Sequence, residues 1–266
     1  ARLRKITYAA PTFIEDSAHI NEVQRESFTT QIANLPIMLK SRYCHLDKLN
    51  REELIGKGED PDDPGGYFII NGTEKVLISI EDLAANRLLV EKTTTGPSEY
   101  KAKLFSERGS FKIPHTIEKM KDGIFYLTFT RVKRIPIAIV IKALGLMKDE
   151  DITKAVSTDK VYDEVIINLM NAVDIKTQED ALDYIAKQIG ITQSKEVRIE
   201  RLREILDKYL LPHLGIEEKD RGLKAYNLCK MLKKYINVSN GELDIDDKDH
   251  YMNKRLKLSG DLLGDL

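Results

Sequence analysis

Asp63-Pro64-Gly65-Gly66-Tyr67-Phe68-Ile69-Ile70-Asn71-Gly72-Thr73-Glu74-Lys75-Val76-Leu77-Ile78 reads as a strand, a tight turn and a second strand. Residues 67–70 and 76–80 are rich in β-branched and aromatic side chains. Asn71-Gly72 between them accepts positive φ at both central turn positions, so the hairpin has a steric cause. Pro64, Gly65 and Gly66 stop any preceding helix and let another backbone come close. By pattern alone this is a buried hairpin of any β-rich domain.

Upstream, Lys5-Ile6-Thr7-Tyr8 and Phe28-Thr29-Thr30-Gln31-Ile32 alternate in the manner of strands. Pro36 suits an edge or a strand start. Asn50 and Glu53 offer a capping box for a short helix that ends at Gly56 or Gly58. Residues 59–64 form an acidic, proline-broken loop without the Asp-x-Asp-x-Asp-Gly order of a calcium site, so a solvated loop is expected.

Downstream, residues 87–90 read as a strand and residues 93–98 as the most linker-like run of the chain. Strands are expected over 100–104, 111–117 and 124–129. From about Pro136 the pattern turns helical, with segments over 137–144, 149–156 and 161–170. Thr177 caps a helix with Ala181, Leu182, Ile185 and Ile189 at helical spacing. Residues 196–209 repeat this with Val197, Ile199, Leu202, Ile205 and Leu206 inward. The last long helix, over 219–235, should bury Leu223, Tyr226, Leu228, Met231, Leu232 and Ile236. The fold class is therefore α+β, a β-rich part joined to a mainly helical one.

The 266 residues suffice for one large or two ordinary domains, with 42% hydrophobic and 32% charged residues. A net charge of −1 means that any nucleic-acid contact comes from local patches or from partners. Cys44 and Cys229 make neither a zinc pattern nor a disulfide framework. His19, His45, His115, His213 and His250 are scattered, and no metal site is read from them. The longest apolar run, 135–146, is too short to span a bilayer, and no signal peptide is recognised. A cytoplasmic protein without a membrane partner is expected. The start at Ala1 gives the chain the look of an excised piece of something larger.

Candidate chemistry is sparse. Asp244, Asp246, Asp247 and Asp249 cluster as magnesium ligands do, but Lys248 sits among them and no glycine opens the backbone. Ion pairs and hydrogen bonds with Lys254, Arg255 and backbone are the expectation instead. No nucleophile elbow, Cys-His relay or phosphate-binding loop is present in the sequence. Lys195, Arg198, Arg201 and Arg203 crowd one helix with Glu196 and Glu200. They form either a solvated face or a set of contacts to DNA phosphates, sequence-independent and salt-sensitive. Lys254-Arg255-Leu256-Lys257 is the other basic cluster.

The string from Gly65 to Val76 resembles the second-largest subunit of cellular, multi-subunit RNA polymerases. So do Asn34-Leu35-Pro36-Ile37-Met38-Leu39, Tyr209-Leu210-Leu211-Pro212-His213-Leu214 and Asp246-Asp247-Lys248-Asp249-His250-Tyr251-Met252-Asn253-Lys254-Arg255-Leu256, in the family's order. The likeness is to the archaeal form, either undivided or as the N-terminal half where the gene is split. The resemblance implies the protrusion and lobe region. The protrusion would hold residues 1–97 and 243–266, and the lobe, residues 98–242, would be inserted in it. The hairpin with Gly65, Gly66, Asn71, Gly72 and Lys75 would be framework, and Asp249, Asn253, Lys254 and Arg255 would lie near the DNA cleft. The resemblance implies a DNA-directed RNA polymerase that uses nucleoside triphosphates and magnesium. That magnesium belongs to the largest subunit, so no cofactor is expected in this piece. Other polymerase subunits, DNA and transcription factors are the implied partners. A stand-alone nucleic-acid-binding or protein-interaction module is the alternative, and a small metal-dependent nucleotidyltransferase a third reading. The family's small residue is replaced by Met252. The hairpin and the return segment are expected to meet in one body.

Overall fold

The computed structural model describes residues 1–264 except 21, 22, 25, 110 and 131. These form a mixed α+β fold that divides into two compact units. Residues 1–80 and 258–264 make the first; residues 81–257, inserted between them, make the second.

In the first unit, β1 (Ala9–Asp16) pairs antiparallel with β4 (Phe28–Pro36), and β2 (His19–Ile20) with β3 (Val23–Gln24) closes the far end. Lys5–Tyr8 does not extend this ribbon. Lys5 has a φ of 51° and turns the chain, so the strand begins only at Ala9. Pro36 ends β4 rather than starting a strand. Phe13, Ile14, Phe28, Ile32 and Leu35 are exposed along the ribbon. The helix α1 (Arg51–Gly56) starts as the capping pattern predicts, with the Asn50 N–H donating to Glu53 Oε2 at 2.9 Å.

The central hairpin is β5 (Phe68–Ile70) and β6 (Thr73–Lys75), with Ile70 opposite Thr73. Asn71 and Gly72 take φ of 52° and 78° at the turn, as their chemistry demands. A Cβ on Gly72 would stand 2.7 Å from Lys5 Cα, and one on Gly65 would stand 2.8 Å from the Leu39 carbonyl oxygen. The second strand is shorter than the sequence suggests: Val76 and Ile78 are exposed, and pairing resumes only at β7 (Ile80–Leu83). Leu39, Cys44, Leu46, Leu54 and Ile69 form a small core. The acidic loop is held by Arg2, which contacts Glu59 and Glu74 at 2.7 Å each and Asp63 at 3.6 Å.

The second unit is built on a five-stranded antiparallel sheet, ordered β12-β11-β10-β9-β8. The strands are β8 (Leu88–Lys92), β9 (Tyr100–Arg108), β10 (Phe111–Lys119), β11 (Phe125–Phe129) and β12 (Val132–Pro136). Phe125, Leu127 and Phe129 alternate inward on β11. Residues 93–98 are the loop of the β8–β9 hairpin, closed by the Thr93 N–H donating to the Glu99 carbonyl at 2.8 Å. The turn residues that resemble an interdomain linker therefore connect two strands of one sheet. Residues 97 and 242, where the sequence reading draws its boundaries, both lie inside this unit.

Helices α2 (Ile137–Ala143), α3 (Asp149–Val156), α4 (Asp163–Asn171), α5 (Gln178–Ile189), α6 (Lys195–Tyr209) and α7 (Arg221–Ser239) follow. Every residue of α2 is buried, and all are apolar except Lys142, whose ammonium donates to the Ala172 carbonyl at 3.0 Å and pairs with Asp149 at 3.1 Å. Thr177 caps α5, its Oγ1 accepting from the Asp180 N–H at 3.1 Å, and Gly190 ends it at φ 87°. Two helical faces differ from expectation. Val197 is exposed on α6, and Leu223 and Tyr226 are exposed on α7. Leu228, Met231, Leu232 and Ile236 of α7 are buried as expected, and the face also takes in Lys224, Ala225, Cys229 and Tyr235. Lys224 is tolerated inside because its ammonium donates to the carbonyls of Leu206 and Asp207 at 3.1 and 2.7 Å, capping the end of α6. Burial pushes its pKa down to about 8. Sheet and helices share one core from Val90 to Val238.

The return segment ends in β13 (Lys254–Lys257), paired with β7, and α8 (Ser259–Gly264) closes the described chain. Asn71 belongs to the first unit and Asn253 to the second, so the two signatures do not share one compact body.

Candidate nucleic-acid interface

The return segment is fastened to the sheet before it reaches its basic residues. Asp246 accepts from the Val90 N–H at 2.8 Å and pairs with Lys234 at 2.6 Å, while its own N–H donates to the Val90 carbonyl. Asp247 Oδ1 accepts from the Asp249 N–H at 2.8 Å, forming a local turn. His250 caps the single 3-10 turn Tyr251–Asn253, its Nδ1 accepting from the Met252 N–H at 3.1 Å.

Asn253 is the hub. It is buried, its Nδ2 donates to the Asp247 carbonyl at 2.5 Å, and its own carbonyl accepts from the Ala84 N–H at 2.8 Å. Its Oδ1 has no partner among the described residues. Lys254 then reaches Glu81, with Asp249 at 3.7 Å, and the Glu81 carboxylate raises its pKa. Asp249 and Met252 are exposed. Arg255 is exposed too, its Nη1 donating to the Lys254 carbonyl at 2.7 Å.

One group escaped the sequence reading. Arg87, exposed at the start of β8, donates from Nη1 to the Met252 carbonyl at 3.1 Å, and Arg255 Nη1 stands 3.5 Å from that same oxygen. Two guanidinium groups thus converge on one turn. Nothing local marks Arg87, because its neighbour lies 165 residues away in the chain.

The helical cluster is more committed. Arg198 grips Asp183 through Nε at 2.9 Å and Nη2 at 2.5 Å, and donates to the Gln193 carbonyl at 2.8 Å. It joins α6 to α5 and is largely buried. Lys187 and Arg198 together hold the Asp183 carboxyl below its ordinary range, Lys187 contributing more. Lys195 stands 3.6 Å from Asp180. Arg201 is exposed and makes no ion pair among the described residues. In the first unit, Lys75 is exposed at the end of β6, opposite Phe68.

A magnesium ion is not suited to the Asp244–Asp249 stretch. The Asp246 carboxylate is already shared between an ammonium and a backbone N–H, and Asp247 is turned onto its own loop. Among the described residues no group of three His, Cys, Asp or Glu side chains converges as metal ligands. No described helix is long and apolar enough to cross a membrane.

Residues 84–257, which hold the five-stranded sheet and its helical layer, match the family model described as RNA polymerase Rpb2, domain 2. The whole chain is 45% identical to the DNA-directed RNA polymerase subunit Rpo2 of Saccharolobus solfataricus, covering 24% of that protein. It is 43% identical to subunit Rpo2N of Methanocaldococcus jannaschii and 40% identical to Rpo2N of Halobacterium salinarum, covering 55% and 53% of them. The chain belongs to the family of RNA polymerase second-largest subunits, in its archaeal form. It spans about a quarter of the undivided relatives and about half of the divided ones.

Proposed function

We propose that this chain forms part of one wall of the DNA cleft in a cytoplasmic DNA-directed RNA polymerase that polymerises nucleoside triphosphates with magnesium. The observation that carries the reading is identity of 40 to 45% along the entire chain to archaeal polymerase subunits. On this reading the first unit, residues 1–80 and 258–264, belongs to the protrusion and the inserted unit, residues 81–257, to the lobe. The partners are the remaining subunits, DNA and transcription factors, and the catalytic magnesium is held by the largest subunit. Arg255 and Arg87 offer exposed guanidinium groups on one rigid turn, suited to phosphate oxygens without base readout. Lys254 acts through Glu81, holding β13 against β7, and Asp249 sets the negative border of the patch.

Assembled polymerase carrying Asp249→Ala with Arg255→Ala tests the reading. The double variant should assemble normally, shorten the lifetime of the open promoter complex and make its loss with salt shallower, because one phosphate contact fewer releases fewer counterions. Unchanged open-complex lifetime and elongation in a fully assembled enzyme would remove these residues from the DNA path.

A further inference from the structure

The ladder between β11 and β12 is broken by a bulge. Leu127 faces Ile135 and Phe129 faces Val132, so Lys133 and Arg134 together stand opposite Thr128. Successive residues of a regular strand point to opposite faces. Here two consecutive cations line one cavity of about 450 Å³, with Lys101, Thr116, Glu118 and Thr128 as its other walls. Arg134 takes a φ of 52°, a conformation unfavourable to any residue with a Cβ. Its N–H donates to Thr128 Oγ1 at 3.2 Å, and its carbonyl accepts from Gln188 Nε2 of α5 at 3.0 Å, which together hold it there. Bulges and lysines also blunt the open edges of sheets, and β12 is the last strand of its sheet. That edge is already covered at the bulge by Gln188, so edge protection leaves the paired cations without a task.

The charge inside the cavity says what it takes. Glu118 is engaged by Lys101 at 2.6 Å, whereas Lys133 and Arg134 are exposed and make no ion pair among the described residues. The Thr128 hydroxyl accepts from the Arg134 backbone and keeps its own proton to donate, and Thr116 adds a second hydroxyl. Convergent donors around an excess of positive charge recognise an oxyanion. None of the six lining residues is aromatic, so no base can stack there, and the cations form a cluster rather than a track. A nucleic-acid strand is therefore not the occupant. We infer that the β11–β12 bulge binds a compact phosphate anion of the pyrophosphate class. The Arg134 guanidinium and the Lys133 ammonium hold its oxygens, and the Thr128 hydroxyl donates to it. None of these residues belongs to the basic turn, so the inference stands apart from the DNA-cleft reading.

Isothermal titration calorimetry of the full chain with inorganic pyrophosphate, at ionic strength matched with sodium chloride, should show saturable binding. Arg134→Gly separates a ligand site from a structural bulge, because glycine accepts positive φ without strain while the guanidinium is lost. This variant should keep or raise the thermal midpoint and weaken pyrophosphate binding by about tenfold or more. Lys133→Gln, at an exposed side chain with no ion pair, should weaken binding too and reads the site even if the glycine loosens the bulge. The inference is overturned by no saturable heat, or by unchanged affinity in both variants. It is equally overturned if Arg134→Gly weakens binding of labelled duplex DNA as much as that of pyrophosphate, which would make the bulge a nucleic-acid contact.

Discussion

Two glycines of the hairpin region separate conformational strain from steric contact. Gly66 and Gly72 both hold positive φ, 80° and 78°. A Cβ at Gly66 meets open space, whereas at Gly72 it would strike the Lys5 backbone. Gly66→Ala should therefore cost about 1 kcal/mol, and Gly72→Ala about 2–4 kcal/mol because residues 2–5 must also move. Urea unfolding followed through amide signals of the first unit reads both; equal costs would mean that the close approach is unimportant. The turn itself was legible in the sequence because Asn71-Gly72 has a purely local meaning. The approach of Lys5 was not, since no local pattern joins residues so far apart. A separation of 15 residues was likewise enough to hide the Arg198–Asp183 grip, which turns a candidate phosphate ligand into a strut between α5 and α6.

Among elements, the joint between β10 and the segment after α6 rests on a buried histidine. His115 Nε2 accepts from the Leu211 N–H at 3.1 Å, Nδ1 lies 3.1 Å from the Ile113 carbonyl, and the ring stacks on Phe129. Burial pushes its pKa down to about 4 from the ordinary 6.5, and the neighbouring His213 and Lys224 charges act the same way. A proton on Nε2 would point at the Leu211 N–H, so the folded state refuses it. The unfolded chain takes up that proton below about pH 6.5. Stability is therefore full above that value and falls as the pH drops toward 4, by about 3 kcal/mol at most. His115→Gln keeps an acceptor for Leu211 and cannot titrate. Its denaturation midpoint should fall less steeply over this window than that of the natural chain, and an identical slope would exonerate the histidine. Helix positions and caps, such as Thr177 before α5, were readable from spacing. Spacing also placed Leu228, Met231, Leu232 and Ile236 of α7 inward, but not Lys224, which is acceptable there only because of the carbonyls at the end of α6.

At the scale of the whole chain, the α+β class was legible and the division into units fell elsewhere than the composition suggests. A run of threonine, glycine, proline and serine looks like a linker whether it joins domains or strands, and here it joins β8 to β9. The two units have unequal means of support. The first has a core of Leu39, Cys44, Leu46, Leu54 and Ile69 and a ribbon with exposed phenylalanines, while the second has a continuous core from Val90 to Val238. Native-state hydrogen exchange should find the β1–β4 and β5–β6 amides opening at least about 2 kcal/mol more easily than those of β11. A common opening free energy would show that both units unfold as one.

The pairing of β7 with β13 brings together the stretches where the polypeptide enters and leaves its larger part. Everything between those two strands is a detour that returns to its point of departure. Lengthening or trimming a loop anywhere along that detour leaves its two ends paired as before, so evolution can resize the larger unit without changing where the chain enters and leaves it.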